Sequence, residues 1–234
     1  MSHSSESYAQ SSTPTGAHQL LNAVERMLAT PEEIRAVVEG FRREGAVRTA
    51  QVSERVISHY SNWSALAGGA SAVPGIIPGI GTLTVVLGST LAEMAYVLKL
   101  ETEMCLALSY AHGFDVRERR ERQLALLLAA VHTSEVTTGR NVLLDIGDIS
   151  LTAVSNYGTR ELEKLLLRVS TAIAIALLVK SAPKALLKAI PFIGIGIGAG
   201  FNKFVSTKVG RAAQHWLVWR RWARQERRGH RGAR

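Results

Sequence analysis

Between Arg55 and Glu93 the chain carries no formal charge, and that run constrains the fold more than any other feature. It reads VISHYSNWSALAGGASAVPGIIPGIGTLTVVLGSTLA. It exceeds the roughly 20 residues that cross a bilayer. Yet Pro74, Pro78 and six glycines fall inside it. Proline removes a backbone donor and glycine loses the most entropy on ordering, so one straight span is disfavoured. The pattern predicts a bent, re-entrant or hairpin arrangement that turns at the Gly/Pro cluster. A single span over Ile76–Leu98 is the alternative, and it puts Glu93 near one end. An ionisable group at membrane depth marks a functional position, whereas one at the point of emergence is an ordinary boundary residue. Both readings of Glu93 are open.

A second Gly-rich apolar segment, Ala189–Asn202, lies between Lys188 and Lys203. Offset the chain by 117 residues and Ala72, Pro74, Ile76, Gly79, Ile80 and Gly81 fall on Ala189, Pro191, Ile193, Gly196, Ile197 and Gly198. Ser89-Thr90 then falls on Ser206-Thr207, and Ala95 on Ala212. The match suggests an internal repeat of two Gly/Pro-rich helical hairpins. Both segments draw on a small alphabet, which also produces chance matches. Gly194/Gly198 and Gly196/Gly200 make small-xxx-small pairs that let helices approach closely, and Gly79 and Gly81 are the matching positions of the first segment.

The rest of the chain reads as helix. Leu20, Leu21, Val24 and Leu28 recur at helical spacing from Ala17. Thr30-Pro31-Glu32-Glu33 reads as an N-cap, a first-turn proline and two acids at the positive end of a helix. That helix is expected to break near Gly40 or Gly45, and another to run from Val47 to Tyr60. Glu93–Ala111 is predicted helical and stops at His112-Gly113-Phe114-Asp115, where glycine suits the position after a helix. Asp115 is a candidate cap for the next helix. Short helices and turns are expected over 139–160, a helix over Arg160–Lys180, and a last helix from about Phe204. Residues 17–225 are thus expected to form one all-α domain. Met1–Gly16 is Ser/Thr-rich without an apolar core, so it reads as a disordered lead-in and not a secretory signal. Residues 226–234 read as a disordered basic end.

These residues resemble a known family. Pro78-Gly79-Ile80-Gly81, the acid Glu93, the helix end His112-Gly113-Phe114-Asp115, and Ile190-Pro191-Phe192-Ile193-Gly194 with Gly198-Ala199-Gly200-Phe201-Asn202 are similar to the EcsC family of bacterial proteins. The likeness covers about residues 45–215. The family usually carries Asp where Glu93 stands and Tyr where His112 stands. The resemblance implies an all-helical protein linked to the cytoplasmic face of a membrane, of a kind encoded beside a transporter. It implies no reaction.

Charge singles out the C-terminus. Residues 203–234 hold ten of the 28 Lys/Arg and one of the 19 acids, so the entire excess of +9 sits there. Such a block meets an anionic partner. Trp216, Trp219 and Trp222 are spaced by three, and Arg220, Arg221 and Arg224 flank them. Trp anchors at headgroup level while Arg meets phosphate, so an interfacial amphipathic helix is expected. The alternative is a Trp stripe packed on the domain. The expected membrane contacts are Trp63, Pro74, Ile76, Ile77, Pro78, Phe192, Ile193, Ile195, Trp216, Trp219 and Trp222. The expected anionic-lipid contacts are Lys203, Lys208, Arg211, Arg220, Arg221, Arg224, Arg227 and Arg228. Glu93 and Asn202 are the candidate functional polar residues.

No motif supplies an enzyme. Gly75–Thr82 lacks the lysine and spacing of a phosphate loop. Gly194-Ile195-Gly196-Ile197-Gly198-Ala199 fits a dinucleotide fingerprint only without its strand and its downstream acid. His132 and Glu135 sit one turn apart with no further ligand, so no metal is expected. The lone Cys105 excludes an internal disulfide and sits in an apolar helix as a packed side chain. No cofactor is expected. The residues point to a non-enzymatic helical protein on anionic lipid; the EcsC resemblance implies the cytoplasmic face, and a membrane protein complex or a second copy are the further partners expected. The alternative is a soluble helical module whose basic end binds a protein or, with no recognisable motif for it, nucleic acid.

Overall fold

A computed structural model describes residues 14–70, 89–147, 149–184 and 193–232. Among them are nine helices and no strand, which makes the protein all-α. They are α1 (Pro14–Met27), α2 (Pro31–Arg43), α3 (Thr49–Ala70), α4 (Ser89–Ala111), α5 (Arg119–Thr138), α6 (Val142–Asp145), α7 (Leu151–Val154), α8 (Thr159–Lys184) and α9 (Ile193–Gly232).

Local chemistry sets several boundaries. Glu33 N–H donates to Thr30 Oγ1 at 3.2 Å while Thr30 N–H donates to Glu33 Oε2 at 2.7 Å, a reciprocal cap on α2. The end of α4 is a Schellman turn. Phe114 N–H donates to Ser109 O at 3.0 Å, Gly113 N–H to Tyr110 O at 2.9 Å, and Gly113 takes a φ of 84° that favours glycine. Asp115 does not cap the next helix. Its Oδ1 accepts from Arg117 N–H at 3.0 Å, and α5 begins at Arg119.

The helices stack in three layers. α4 and α5 lie side by side in the middle, α3 and α9 cover one face, and α1 and α8 cover the other, with α2 laid across α3 and α4. The sequence of the middle pair permits this. Residues 101–109 of α4 and 123–132 of α5 are buried without interruption. A helix apolar nearly all round belongs inside. The ends fit the apolar pattern as well: Leu20, Val24, Ile34 and Val38 are buried where α1 and α2 meet the core.

α9 departs from expectation at both ends. It starts at Ile193, so Gly194, Gly196, Gly198 and Gly200 lie within one helix that continues past Phe204. A helix packed against α3 from Val205 onward extends backward at one hydrogen bond per residue, which offsets the glycine penalty. It also runs on to Gly232, beyond the expected end of order at 225. Of the glycines expected to pack closely, only Gly200 has a described environment. A Cβ on Gly200 would meet nothing within 4 Å, whereas one on Gly210 would meet Ile57 Cγ1 at 2.8 Å and Met104 Sδ at 2.9 Å. Gly210 is where α3, α4 and α9 converge.

Pro74, Ile76, Ile77, Pro78, Gly79, Gly81 and Phe192 lie outside the described residues, as do the positions where both hairpins were expected to turn. The offset repeat finds no echo in the helix boundaries: Ser89 opens α4, while Ser206 lies inside α9. No helix among the described residues is long and apolar enough to cross a membrane.

Candidate functional site

The two faces of α9 carry different chemistry. Its inner face, Val205, Ser206, Val209, Gly210, Ala213, Trp216, Leu217 and Arg220, is buried. Arg220 Nη1 donates to Glu121 Oε2 at 2.6 Å and Nη2 donates to Glu121 Oε1, a bidentate pair exposed by 4% and 1%. The guanidinium sits 4.2 Å over the Phe114 ring and 5.2 Å from that of Trp216. Trp216 Nε1–H donates to Leu151 O at 3.1 Å and ties α7 to α9.

Trp216 and Arg220 were expected at lipid, and the structure corrects both: they are core residues. Three-residue spacing slips by roughly 60° per step on a helix of about 100° per residue. Trp216 is therefore buried, Trp219 half-buried against the core, and Trp222 55% exposed.

The outer face is a second stripe. Phe204, Lys208, Arg211, His215, Val218 and Trp222 are all exposed and recur at alternating four- and three-residue steps. It mixes large apolar groups (Phe204 53%, Val218 50%, Trp222 55% exposed) with cations. Arg211 pairs with Glu54 of α3, and Lys208 Nζ lies 5.8 Å from the Phe204 ring. Lys203 and Arg224 are also exposed, and Asn202 is half-buried near the start of α9. Ile193, Ile195, Arg227 and Arg228 lie in α9 and Glu93 in α4, with side chains outside the described set.

α3 and α9 run antiparallel. Ile57 faces Gly210, Glu54 pairs with Arg211, and Thr49 shares a groove with Arg221. Six residues on from the first contact in each direction bring Trp63 level with Phe204, and nine bring Leu66 level with Phe201. All four are exposed, by 50%, 53%, 62% and 46% in that order. This apolar end adjoins both Gly/Pro segments in sequence.

The groove lies at the opposite end of the pair. Two adjoining lobes, about 300 and 320 Å³, share Thr49, His112, Arg221 and Gln225. The first adds Ala111, Gly113, Phe114 and Arg224, the second Ala50, Gln214, Val218 and Trp222. The Schellman turn holds His112 there at 7% exposure. Its Nε2 faces Ser53 Oγ at 3.4 Å and its Nδ1 has no partner. Burial, then the charge of Arg221, hold the imidazole pKa below its ordinary value. A buried polar atom without a partner costs about 1–3 kcal/mol. Arg224 lies 4.6 Å over Phe114. Among the described residues no carboxylate pairs with Arg221 or Arg224.

Deeper in, Glu101 of α4 is fully enclosed. It accepts from Thr133 Oγ1 of α5 and from Ser206 Oγ of α9 at 3.2 Å. Burial, only partly opposed by these bonds, pushes its pKa up to about 7. Glu103, nearby, accepts from Ala29 N–H at 2.7 Å and pairs with Lys99 at 2.9 Å. Cys105 is buried, and burial raises its thiol pKa far above the ordinary value. Among the described residues no cluster of three metal-ligating side chains occurs.

The chain matches the EcsC protein family over residues 19–222. It belongs to the EcsC family. No curated protein and no solved structure matches it. The match spans all of α2 to α8 and most of α9, so it includes the buried ion pair, the outer stripe and the groove apart from Arg224 and Gln225. The His112-Gly113-Phe114-Asp115 turn, read in the sequence as an EcsC-like helix end, is what brings His112 to the groove and Phe114 beneath two arginines.

Sequence reasoning missed Glu101, Glu121 and Arg220 as interior charges, and it placed His112 only as a helix end. A signal existed for Glu121. It shares a helical face with Leu124, Leu128 and Val131, all buried. Arg220 likewise follows Ala213 and Leu217 on one face.

Proposed function

We propose that this EcsC-family protein is a peripheral membrane-binding module that lays the outer face of α9 on an anionic bilayer. The observation that carries this reading is the stripe Phe204, Lys208, Arg211, His215, Val218 and Trp222. It extends about 27 Å along the helix. It offers aromatic rings suited to headgroup depth and cations suited to lipid phosphate. The exposed Trp63, Leu66 and Phe201 extend the apolar contact toward the Gly/Pro segments. The resemblance behind the family assignment supports an accessory role at a membrane transporter or remodelling system, with binding and not catalysis as its contribution.

The test is vesicle flotation with the full chain. Truncation before Lys203 would strip the core of Val205, Val209 and Leu217, so a face-selective variant replaces it. The wild-type chain floats with vesicles containing anionic lipid and is released by salt, since screening weakens the cationic part. The variant Phe204→Ser/Val218→Ser/Trp222→Ser folds but binds at least about tenfold less. A chain that stays at the bottom with anionic vesicles at low salt defeats the reading and leaves a soluble interaction module.

A further inference from the structure

We propose that the groove between the start of α3 and the C-terminal half of α9 is a phosphomonoester-binding site. The inference goes beyond the membrane reading and does not require it, because the same phosphoryl group occurs on lipid headgroups and on small soluble esters.

Four observations converge on it. First, α3 is a 22-residue helix with no acid in its first turn. Val52 N–H is bonded to Arg48 O, so the amides of Thr49, Ala50 and Gln51 precede the helical ladder at its positive end. Second, His112 is 93% buried and its Nδ1 has no partner at the groove. When Ser53 Oγ–H donates to Nε2, Nδ1 carries the ring proton, a buried donor without a partner on a residue that lines both lobes. Third, Arg221 and Arg224 line that lobe without a carboxylate partner among the described residues. The neighbouring Arg220 has its charge matched by Glu121, so the two lining guanidiniums supply the unbalanced charge. Fourth, the second lobe is bordered by Ala50, Val218 and Trp222, which suits the organic body of an ester.

The donor set selects the class of ligand. Guanidiniums, an imidazole N–H and helix amides together match a group with three oxygens and nearly two charges. A carboxylate offers two oxygens and one charge. A phosphodiester offers one charge and two free oxygens, fewer than the groove can meet.

Two arms test the site in the full chain. In solution, calorimetric titration compares glycerol 3-phosphate with a glycerol phosphodiester. On membranes, flotation compares vesicles of phosphatidic acid with vesicles of phosphatidylglycerol at matched surface charge. The monoester is expected to bind at least about tenfold tighter than the diester in one or both arms. Arg221→Ala/Arg224→Ala, at exposed positions, removes that preference and lowers the melting temperature by no more than a few degrees, the share of the Arg224 contact with Phe114. Because His112→Gln risks the fold, the His112 ring nitrogen resonances of the wild-type chain provide the second readout and shift when glycerol 3-phosphate is added. Monoester binding in solution with no vesicle binding upholds the groove, assigns it a soluble ester and removes the membrane reading. Vesicle binding indifferent to monoester or diester, with unmoved His112 resonances, overturns the groove and leaves the membrane reading standing. Absence of binding in both arms overturns both.

Discussion

Arg220 and Arg221 are neighbours in sequence with opposite fates. One is sealed between Glu121, Phe114 and Trp216, and the other lines an open groove. The same division runs the length of α9. Its inner face holds Ser206, Gly210, Trp216 and Arg220 against α3, α4 and α5, while its outer face offers Phe204, Lys208, Val218 and Trp222. A block of arginine and tryptophan is therefore not one functional unit. Helical phase decides which cations complete the fold and which are free to meet a partner.

The largest effect expected from that division is on stability. Arg220→Ala leaves the buried Glu121 carboxylate with only Arg120, at 3.6 Å, in place of its bidentate partner, which costs up to about 3–5 kcal/mol. Arg221→Ala, one residue on, changes stability by no more than about 0.5 kcal/mol. Urea unfolding of the two variants measures the contrast. Equal losses would mean that Arg220 is not sealed in the core.

The second effect concerns the deepest polar contact on the inner face, Ser206 Oγ–H to Glu101. The folded protein holds the Glu101 proton up to about 7, whereas its ordinary value is 4.5. Between those values the folded state binds more protons than the unfolded chain, so stability falls as pH rises. The contribution is complete below the ordinary value and is lost as pH climbs through about 7, with an upper bound of roughly 3 kcal/mol. Glu103, also raised, acts in the same direction. His59 and His112, both lowered, act oppositely and favour the folded state as pH rises through their ordinary value. Comparing Glu101→Gln with wild type isolates the carboxyl. The urea midpoint of the variant should fall less than that of wild type from about pH 5 to about pH 8. Parallel profiles would show that Glu101 ionises freely and that the Ser206 contact does not enclose it.

Much of this fold was legible because local rules and the apolar pattern agree. Thr30 to Glu33 announces a capped helix start and Gly113 ends a helix, as the structure has them. The EcsC resemblance rested on the same helix end that the structure shows shaping the groove. What was not legible depends on phase and partner. Spacing by three suggested one tryptophan stripe, but over two steps the slip carries a side chain from core to solvent. A charge run such as Arg117 to Arg122 reads as solvated, and only tertiary packing shows that Glu121 turns inward to Arg220. His112 has no sequence partner because its groove is built from α3 and α9, remote in the chain.

The smallest contrast lies between two glycines of α9. Gly200 was among the expected close-packing positions and Gly210 was not, yet of these two only Gly210 is crowded. Adding a methyl group there drives Cβ into Ile57 and Met104. Met104 can shift at its flexible end, but Ile57 is β-branched and stiff, so Gly210→Ala should cost about 1–3 kcal/mol by overpacking. Gly200→Ala meets open space in helical backbone and should gain about 0.5–1 kcal/mol from reduced unfolded-state entropy. Opposite signs in thermal denaturation would fix the α3–α9 contact at Gly210. A loss at Gly200 of the size expected at Gly210 would move the close approach toward the Gly-rich start of α9 and restore the small-residue packing first read there. The same pair bears on the outer face, because a stabilised Gly200→Ala chain that binds anionic vesicles as wild type does would show that the backbone freedom of Gly200 is not needed for that contact.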